Sequence, residues 1–266
     1  MNNGVIGLFD SGVGGLTVAV EVYRQLPGEA TVYFGDTAHV PYGHRSVSEL
    51  LKLAGRIVAF LIAQGAKFII CACNTSSSVS LPVLVNTVKV PMLGLIKPAA
   101  WEALRLTASG KVGVLATEAT VKSGAYEREL KKLDPAVCVY SQAAPRLVPL
   151  VEAGEIKTPA AAAAVKEYLA PLKKAGIDTL ILGCTHYPFL SELIAEELGP
   201  GVCLVDPAGA AVRLAAEEIK RLGLLNNNDE RSVQHKFFVS GDPLAFKARA
   251  ASFLGYDIGC VEHVDL

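Results

Sequence analysis

Two apolar, strand-like runs in this chain each end abruptly in a cysteine that is followed by small polar side chains. In residues 68–75 the cysteine is Cys73, followed by an amide and a hydroxyl. In residues 180–186 the pattern repeats, with Cys184 followed by a threonine and a histidine. A helix is predicted just after each polar group, which puts each thiol at the carboxyl end of a strand. Open α/β sheets bind their ligands at that edge.

The spacing around the two cysteines indicates an internal repeat. Asp10 ends a strand-like run 63 positions before Cys73, and Thr117 ends another 67 positions before Cys184. We therefore predict an α/β fold of two pseudo-symmetric domains, each a mainly parallel sheet flanked by helices, with the active site in the cleft between them. The expected boundaries are 1–97 plus 210–266 for the first domain and 98–209 for the second.

Apolar periodicity predicts the remaining elements. Ser46 and Glu49 have the spacing of a helix capping box, and the amphipathic helix that follows should stop at Gly65. Residues 35–45 form a long loop without periodicity, and such loops usually carry function. Residues 224–236 are polar and rich in asparagine, as expected of a surface loop. Further strands are predicted over 5–9, 31–34, 92–96, 111–117, 137–140, 202–205, 237–242 and 258–264, and further helices over 98–107, 145–152, 160–174, 188–198 and 207–223.

Composition and charge favour a small-molecule partner. The 266 residues are 51% hydrophobic and 19% charged, with a net charge of −1. This balance supplies a large core but no electrostatic footprint for nucleic acid or for an anionic membrane. No apolar run approaches the roughly 18 uncharged residues of a membrane span, and residues 1–4 lack the basic start of a signal peptide. We expect a cytoplasmic protein.

The cysteines divide into two groups. Without a signal peptide, all six are expected to be reduced thiols, and the absence of Cys-x-x-Cys or His-x-x-x-His pairs argues against a metal site. The two that follow apolar runs, Cys73 and Cys184, should have their pKa lowered by the dipole of the next helix. The four that lie inside apolar runs are expected to pack in the core: Cys71, Cys138, Cys203 and Cys260.

The glycine-rich stretch 10–15 does not match a nucleotide-binding loop. Its glycines lack the Gly-x-Gly-x-x-Gly spacing, and no Walker lysine follows. The stretch is expected to bring backbone N–H groups and the side chains of Asp10 and Ser11 to a ligand at the end of the first strand. Either side chain could instead be an ordinary helix N-cap.

Two opposed thiols suit a reaction that needs a base on one face of a carbon atom and an acid on the other. Racemisation of an amino acid is such a reaction, because one thiolate removes the α-proton and the opposite thiol returns a proton. His186, two residues after Cys184, could tune that thiol or donate a proton, although a histidine near a strand end is often structural.

Four motifs resemble the glutamate racemase family: residues 9–18, Pro41-Tyr42-Gly43, residues 72–75 and residues 183–188. This resemblance implies a cofactor-independent homodimer that supplies D-glutamate for peptidoglycan, with Cys73 and Cys184 as the acid/base pair. It implies Asp10, Glu152 and His186 as supporting catalytic groups, of which Glu152 depends on the weaker pattern over 147–154. The substrate contacts that it implies are Asp10, Ser11, Pro41, Tyr42, Gly43, Asn74, Thr75, Thr117, Thr185 and His186.

Other functions remain open at this point. A racemase for aspartate or another acidic amino acid would use the same two thiols in a pocket of different size. A hydrolase or lyase with a nucleophilic Cys184 paired to His186 would need only one cysteine. A two-domain binding protein would need neither, and a pyridoxal phosphate racemase would need a Schiff-base lysine.

Overall fold

The computed structural model describes residues 4–226 and 233–266. Residues 1–3, part of the stretch scanned for a signal peptide, and residues 227–232, the middle of the predicted polar loop, lie outside the described residues. In the described ranges, all the paired strands are parallel and form two sheets. The strands are β1 (Val5–Asp10), β2 (Thr31–Gly35), β3 (Ala66–Cys71), β4 (Met92–Leu93), β5 (Lys111–Ala116), β6 (Cys138–Ala143), β7 (Thr179–Gly183), β8 (Cys203–Val205), β9 (His235–Val239) and β10 (Val261–His263).

The two sheets repeat one topology. Within the described residues, the first sheet has the order β10-β9-β2-β1-β3-β4 and the second has the order β6-β5-β7-β8. The run β2-β1-β3-β4 therefore corresponds strand for strand to the second sheet, which confirms the predicted α/β fold and its internal repeat. The last two strands return to the first sheet, as expected from the apolar pattern near the end of the chain.

Helices cover both faces of each sheet. They are α1 (Leu16–Gln25), α2 (Val47–Ala63), α3 (Asn74–Val79), α4 (Leu81–Leu84), α5 (Ile96–Leu106), α6 (Glu118–Ser123), α7 (Ala125–Leu133), α8 (Leu147–Glu152), α9 (Pro159–Ala175), α10 (Ser191–Leu198), α11 (Pro207–Arg221) and α12 (Pro243–Leu254). Single 3-10 turns span Tyr42–His44 and Tyr187–Leu190.

The central strand β1 shows why the strands correspond to continuous apolar runs in the sequence. Ile6 and Leu8 point into a core with α1, α11 and α12, whereas Phe9 points into a second core with α2. Because helices cover both faces of a parallel sheet, the side chains that point to either face are apolar, and the strand is a continuous apolar run in the sequence. The second sheet is built in the same way, with α8 and α9 on one face and α5 and α7 on the other.

Helix α2 forms as the sequence predicts. The Ser46 hydroxyl accepts from the Glu49 N–H at 3.3 Å, and the Glu49 carboxylate accepts from the Ser46 N–H at 3.0 Å. This reciprocal pair satisfies two N–H groups that the first helical turn leaves without a partner. The chain leaves the helix after Ala63 and turns at Gly65, which has a φ of 85°.

Three cysteines contradict the expectation that they pack in the core. Cys71 is buried as predicted, but Cys138, Cys203 and Cys260 are exposed. Cys138 and Cys203 are the first residues of β6 and β8, and Cys260 immediately precedes β10. Each of these is an edge strand, so an apolar run at its start is only partly covered by neighbours.

Some element bounds also differ from the predicted ones. The strand predicted over 92–96 is cut to Met92–Leu93 because α5 already begins at Ile96. The helix predicted over 188–198 starts as the 3-10 turn and becomes α-helical only at Ser191. Strand β9 begins at His235, inside the stretch expected to be loop.

Of the helices described, none is long and apolar enough to cross a membrane.

Candidate active site

The carboxyl ends of the two sheets open into one narrow cleft with a cavity volume of about 50 Å³. Both thiols predicted to be catalytic line it, which confirms that the two repeats meet at a common site. Of the other predicted residues, only Asp10 and Glu152 do not line the cavity. Each contacts a residue that does: Asp10 accepts from the Thr185 hydroxyl at 3.4 Å, and Glu152 pairs with His186. The lining residues are Ser11, Pro41, Tyr42, Gly43, His44, Cys73, Asn74, Thr75, Thr117, Glu118, Ala144, Pro145, Val148, Cys184, Thr185 and His186.

Strand pairing places each cysteine beside a hydroxyl. Phe9 pairs with Cys71 and Ala116 pairs with Gly183 in the parallel ladders. Continuing each register past the strand end sets Ser11 opposite Cys73 and Thr117 opposite Cys184. The structural counterpart of Thr117 is therefore Ser11 rather than Asp10, one residue later than the sequence spacing indicated.

Cys73 lies where the chain leaves β3 and enters α3. Residues two apart on a continuous strand point to the same face of the sheet. Because β3 ends at Cys71, the rule does not apply here: the Cys71 side chain packs in the core with α2, whereas Cys73 packs with Tyr42 and Leu50. Cys73 is the N-cap of α3, and its Sγ accepts from the Ser76 N–H at 3.5 Å. Burial nevertheless raises the pKa of Cys73 well above its usual value, and the charge of Asp10 adds to this. The expectation that this pKa is lowered is wrong, because burial and the charge of Asp10 outweigh the hydrogen bonds from Ser76 at the start of α3.

Cys184 follows β7 without an α-helix immediately after it. The Tyr187 N–H donates to the Cys184 carbonyl at 3.1 Å, which begins the 3-10 turn. The Cys184 Sγ lies 3.8 Å from Nδ1 of His186. An imidazole, rather than a helix N-terminus, is therefore the polar partner of this thiol.

His186 is held from behind by a carboxylate. Its Nε2 lies 2.7 Å from Glu152 Oε1, and Glu152 Oε2 accepts from Arg249 Nη1 at 2.9 Å. Burial by itself lowers the pKa of His186, but hydrogen bonds to Cys184 and Glu152 prevail and raise it well above its usual value. Burial raises the pKa of Glu152, but the hydrogen bond from His186 and the charges of His186 and Arg249 outweigh burial, so the pKa of Glu152 is lowered overall. The arrangement favours an imidazolium between a thiol and a carboxylate.

Asp10 is completely buried behind the Cys73 side of the cavity. Its Oδ2 accepts from the N–H groups of Gly12 at 3.1 Å and Gly15 at 2.9 Å. Burial raises the pKa of Asp10, and nearby His186 opposes that rise. Neither Asp10 nor Ser11 caps α1, whose N-cap is Gly15, so the ordinary helix-cap interpretation is wrong.

The glycine-rich loop brings the two halves of the molecule together. A Cβ on Gly12 would lie 2.8 Å from Glu152 Oε1, and a Cβ on Gly14 would lie 2.7 Å from Thr185 Oγ1 and 2.8 Å from His186 Nδ1. No side chain fits at either position without displacing these groups. The glycines are thus explained by close contact with the segments around His186 and Glu152.

Polar groups from both repeats converge on the cavity near Cys73. Tyr126 donates to Asn74 Oδ1 at 2.5 Å, while Asn74 Nδ2 is buried and has no hydrogen-bond partner in the described part of the chain. Thr75 Oγ1 lies 2.9 Å from Thr117 Oγ1 across the boundary between the repeats. Asn74, Thr75 and Thr117 therefore bring an amide donor and a pair of hydroxyls to the lining of the cleft.

The long loop predicted to carry function supplies one wall. Its Tyr42 hydroxyl donates to the buried carboxylate of Asp36. Asp36 also accepts from Ser240 at 2.6 Å, which ties the loop to the end of β9. Burial, followed by the charge of Asp36, raises the pKa of Tyr42, so its ring faces the cavity as a neutral phenol.

Sequence reasoning missed several residues of the cavity wall. Glu118 directly follows Thr117, and His44 directly follows Gly43, so extending those motifs by one residue would have included both. Ala144, Pro145 and Val148 precede or begin α8 and carry no chemical signal of their own. Across residues 4–226 and 233–266, no group of three or more His, Cys, Asp or Glu side chains could hold a metal ion.

Comparison with known proteins identifies the family to which the chain belongs. Residues 18–215 match the model of the family described as Asp/Glu/hydantoin racemase. The glutamate racemase of Desulforudis audaxviator is 58% identical over 260 residues, covering 96% of this chain and 95% of that protein. The chain belongs to the glutamate racemases of this family.

Solved structures of the family share the whole fold. A glutamate racemase isoform of Bacillus anthracis superimposes with a TM-score of 0.96 at 41% identity, covering 100% of this chain and 99% of that one. The glutamate racemase of Francisella tularensis, solved in complex with D-glutamate, gives a TM-score of 0.91 at 34% identity, with 100% and 98% covered. Both comparisons span the two sheets and the cleft between them.

Proposed function

We propose that this protein interconverts L-glutamate and D-glutamate without a cofactor, using Cys73 and Cys184 as a two-thiol acid/base pair. One observation carries the proposal: equivalent strand ends of two repeated sheets deliver one cysteine each to the same cavity. All six cysteines are free thiols, so both groups are present in a form that can exchange protons.

The reaction follows from that opposition. One cysteine, as thiolate, removes the α-proton of the bound amino acid, and the electron pair of the C–H bond moves onto the α-carbon and its carboxylate. The opposite cysteine, as thiol, delivers its proton to the other face of that carbon. The product has inverted configuration, and the thiolate has moved from one side of the cleft to the other. The two sulfur atoms are expected to lie roughly 6 to 9 Å apart, because each must reach the same carbon.

The cavity supplies donors for two carboxylates. The unpartnered Nδ2 of Asn74 and the hydroxyls of Thr75 and Thr117 are the groups we assign to them, together with Ser11 and Thr185. N–H groups at the start of α3 add to the positive potential there. Donors of this kind also stabilise the charge that develops on the α-carboxylate when the proton leaves.

Each thiol has its own assisting group in this proposal. His186, backed by Glu152, gives Cys184 an adjacent proton donor. Asp10, behind Cys73, has a buried carboxylate whose charge acts on that thiol. We assign Pro41, Tyr42 and Gly43 to the wall that excludes water from the reacting carbon.

Incubation of each glutamate enantiomer with the purified protein in deuterium oxide, without added cofactor, tests the proposal. Racemisation with deuterium at the α-carbon is the expected result. Activity on aspartate instead of glutamate would favour the aspartate racemase, and absence of solvent exchange would favour a binding protein. Racemisation that survives loss of Cys73 would overturn the two-thiol mechanism and leave a single-cysteine enzyme. Visible absorbance of the purified protein would indicate pyridoxal phosphate.

The proposed cellular setting follows from the chemistry. Reduced thiols persist in the cytoplasm, where we place the protein, and its D-glutamate would supply peptidoglycan synthesis. We also propose a homodimer and domain boundaries at 97/98 and 209/210. Light scattering after gel filtration measures the mass in solution, and separate expression of the segment 98–209 tests whether the second domain folds on its own.

A further inference from the structure

Helix α12 connects the first sheet to the segment that holds His186. Phe246 and Ala250 pack α12 into the core of the first sheet. Arg249 and Phe253, four residues apart, share another side of the helix. Arg249 Nη1 donates to Glu152 Oε2 at 2.9 Å, and the ring of Phe253 stacks on Phe189 with centroids 4.2 Å apart. One side of α12 therefore contacts both the partner of His186 and the turn that follows His186.

The Glu152 carboxylate is shared between the two repeats. Its Oε1 meets His186 at 2.7 Å, whereas its Oε2 meets Arg249 at 2.9 Å. Only 13% of the Glu152 side chain is exposed, against 43% for Arg249. With one oxygen held by a guanidinium, the carboxylate cannot rotate away from the imidazole without losing an ion pair.

The stacked rings fix the approach of α12 to this site. Phe253 packs against the cores of both sheets. Phe189 lies in the 3-10 turn Tyr187–Leu190, which begins directly after His186. Movement of α12 would therefore disturb the backbone next to His186 as well as the ion pair.

We propose that Arg249 is a positioning residue for proton transfer at Cys184, reaching from α12 to hold the Glu152 carboxylate turned toward His186. The inference rests on the proposed function, because it gives Arg249 a part in the same racemisation. Within the described residues no arginine holds Asp10, the group behind Cys73; its carboxylate accepts from the N–H groups of Gly12 and Gly15 and, at 3.4 Å, from the Thr185 hydroxyl. Loss of Arg249 should therefore affect one of the two proton transfers more than the other.

The surroundings give the sign of the pH effect. The titratable and charged groups that face the Glu152–His186 pair are Asp10, Tyr33, Cys184 and Arg249. Burial raises the pKa of Glu152, and Arg249 is one of the groups that lower it. Without Arg249 the carboxylate should become protonated at a higher pH. The acidic limb of the rate profile then moves toward neutral pH.

The test compares Arg249→Met and Arg249→Lys with the control Lys247→Met. Lys247 lies on the same helix and pairs with Asp257 at 3.1 Å, away from the cleft. Arg249→Met should lower kcat about fivefold at neutral pH and more as the pH falls, since exposed ion pairs contribute up to about 1 kcal/mol. Arg249→Lys should recover most of the loss because it keeps the charge, and Lys247→Met should match the wild type.

Isotope effects separate positioning from a general loss of structure. The enantiomer that the Cys73→Ala variant still exchanges with solvent identifies the substrate from which Cys184 removes the proton. With that enantiomer deuterated at the α-carbon, the isotope effect on kcat should rise in Arg249→Met, because removal of the proton becomes slower. With the other enantiomer it should fall, because return of the proton from Cys184 becomes more limiting.

The outcomes distinguish this inference from the proposed function. If the wild-type protein does not racemise glutamate, the proposed function fails first. If the wild type is active but Arg249→Met equals Lys247→Met in kcat, pH profile and both isotope effects, Arg249 has no positioning role. Adding Arg249→Met to Glu152→Gln should cost nothing further, and a full additional fivefold loss would also overturn the inference.

Discussion

The surroundings of Cys73 and Cys184 differ although the two cysteines occupy equivalent places in the repeated sheets. Cys73 caps a helix, and the charged group that acts on it is the buried carboxylate of Asp10. Cys184 caps no helix and lies 3.8 Å from an imidazole that is paired with Glu152. The repeat therefore fixes where the sulfur atoms lie, while local neighbours decide how each one is charged.

This difference shows that a symmetric reaction does not need symmetric assistance. L- and D-glutamate have equal free energies in water, so their equilibrium constant is one. The values of kcat/KM in the two directions must then be equal, whichever groups assist each thiol. Unequal surroundings therefore cannot make kcat/KM differ between the two directions, but they can change how kcat and KM divide in each direction and which proton transfer limits turnover.

Replacing either thiol should have the largest effect. Cys73→Ala and Cys184→Ala should each lower racemisation in both directions by about 10⁴-fold, since a proton donor and a proton acceptor are needed in every turnover. Each variant should still exchange the α-hydrogen of one enantiomer with deuterium oxide, and the two variants should act on opposite enantiomers. Nuclear magnetic resonance of the α-proton with chiral chromatography measures both.

Cys71→Ala is the matched control for the thiol variants. Cys71 is completely buried in the core between the first sheet and α2 and does not line the cavity, so its thiol cannot reach a bound substrate. Its loss should leave racemisation near normal and cost about 1 kcal/mol of the free energy of unfolding. If one of the catalytic variants exchanged both enantiomers at the wild-type rate, a single base would serve both faces.

Replacing the assisting group of each thiol should sharpen the comparison. His186→Asn and Asp10→Asn should each lower kcat by roughly 10²-fold, because each removes a charged or donating group next to a reacting thiol. The isotope effects of α-deuterated substrate should shift in opposite senses: His186→Asn slows the transfer at Cys184, and Asp10→Asn slows the transfer at Cys73. Identical shifts in the two variants would mean that these residues do not serve separate thiols.

Adding a side chain at Gly14, where the two repeats are in close contact, should lower activity by displacing His186 and Thr185, without removing any functional group. Gly14→Ala would put a Cβ 2.8 Å from His186 Nδ1 and 2.9 Å from the Thr185 backbone, so the loop after β7 must move. A displacement of about 1 Å can cost about 10²-fold in rate. Gly201→Ala, where nothing lies within 4 Å, is the control that should stay active. Steady-state kinetics of both variants provide the check, and full activity of Gly14→Ala would contradict the close approach.

The smallest expected effect is on stability. The pKa of His186 is raised in the folded protein, so its stabilising contribution is complete below the unfolded value of about 6.5 and is lost as the pH rises through the folded pKa. Urea unfolding of the wild type should therefore show stability falling above about pH 6.5. His186→Asn should flatten this fall, and an unchanged slope would show that His186 is not protonated in the fold.

Much of the fold was predictable from local patterns. The apolar runs of β1, β3 and β7 and the capping box of α2 are dictated by short-range preferences, and they are confirmed. The exposed cysteines at the edge strands and the shortened β4 were not predictable, because an apolar run does not reveal how many neighbours its strand will have. The contact between Arg249 and Glu152 was not predictable either, since the sequence contains many arginines and lysines that pair on the surface.

The sequence by itself determined the repeat, the two strand ends and the residue types placed there, because strand and helix periodicity are local properties of the chain. Only the tertiary structure decided what surrounds each of those residues. Glu152, His186 and Arg249 come from three distant segments, and Gly14 meets Thr185 across the cleft. The charge of a buried thiol depends on desolvation and on neighbours within a few ångströms, and those neighbours are set by packing between segments that no local pattern relates.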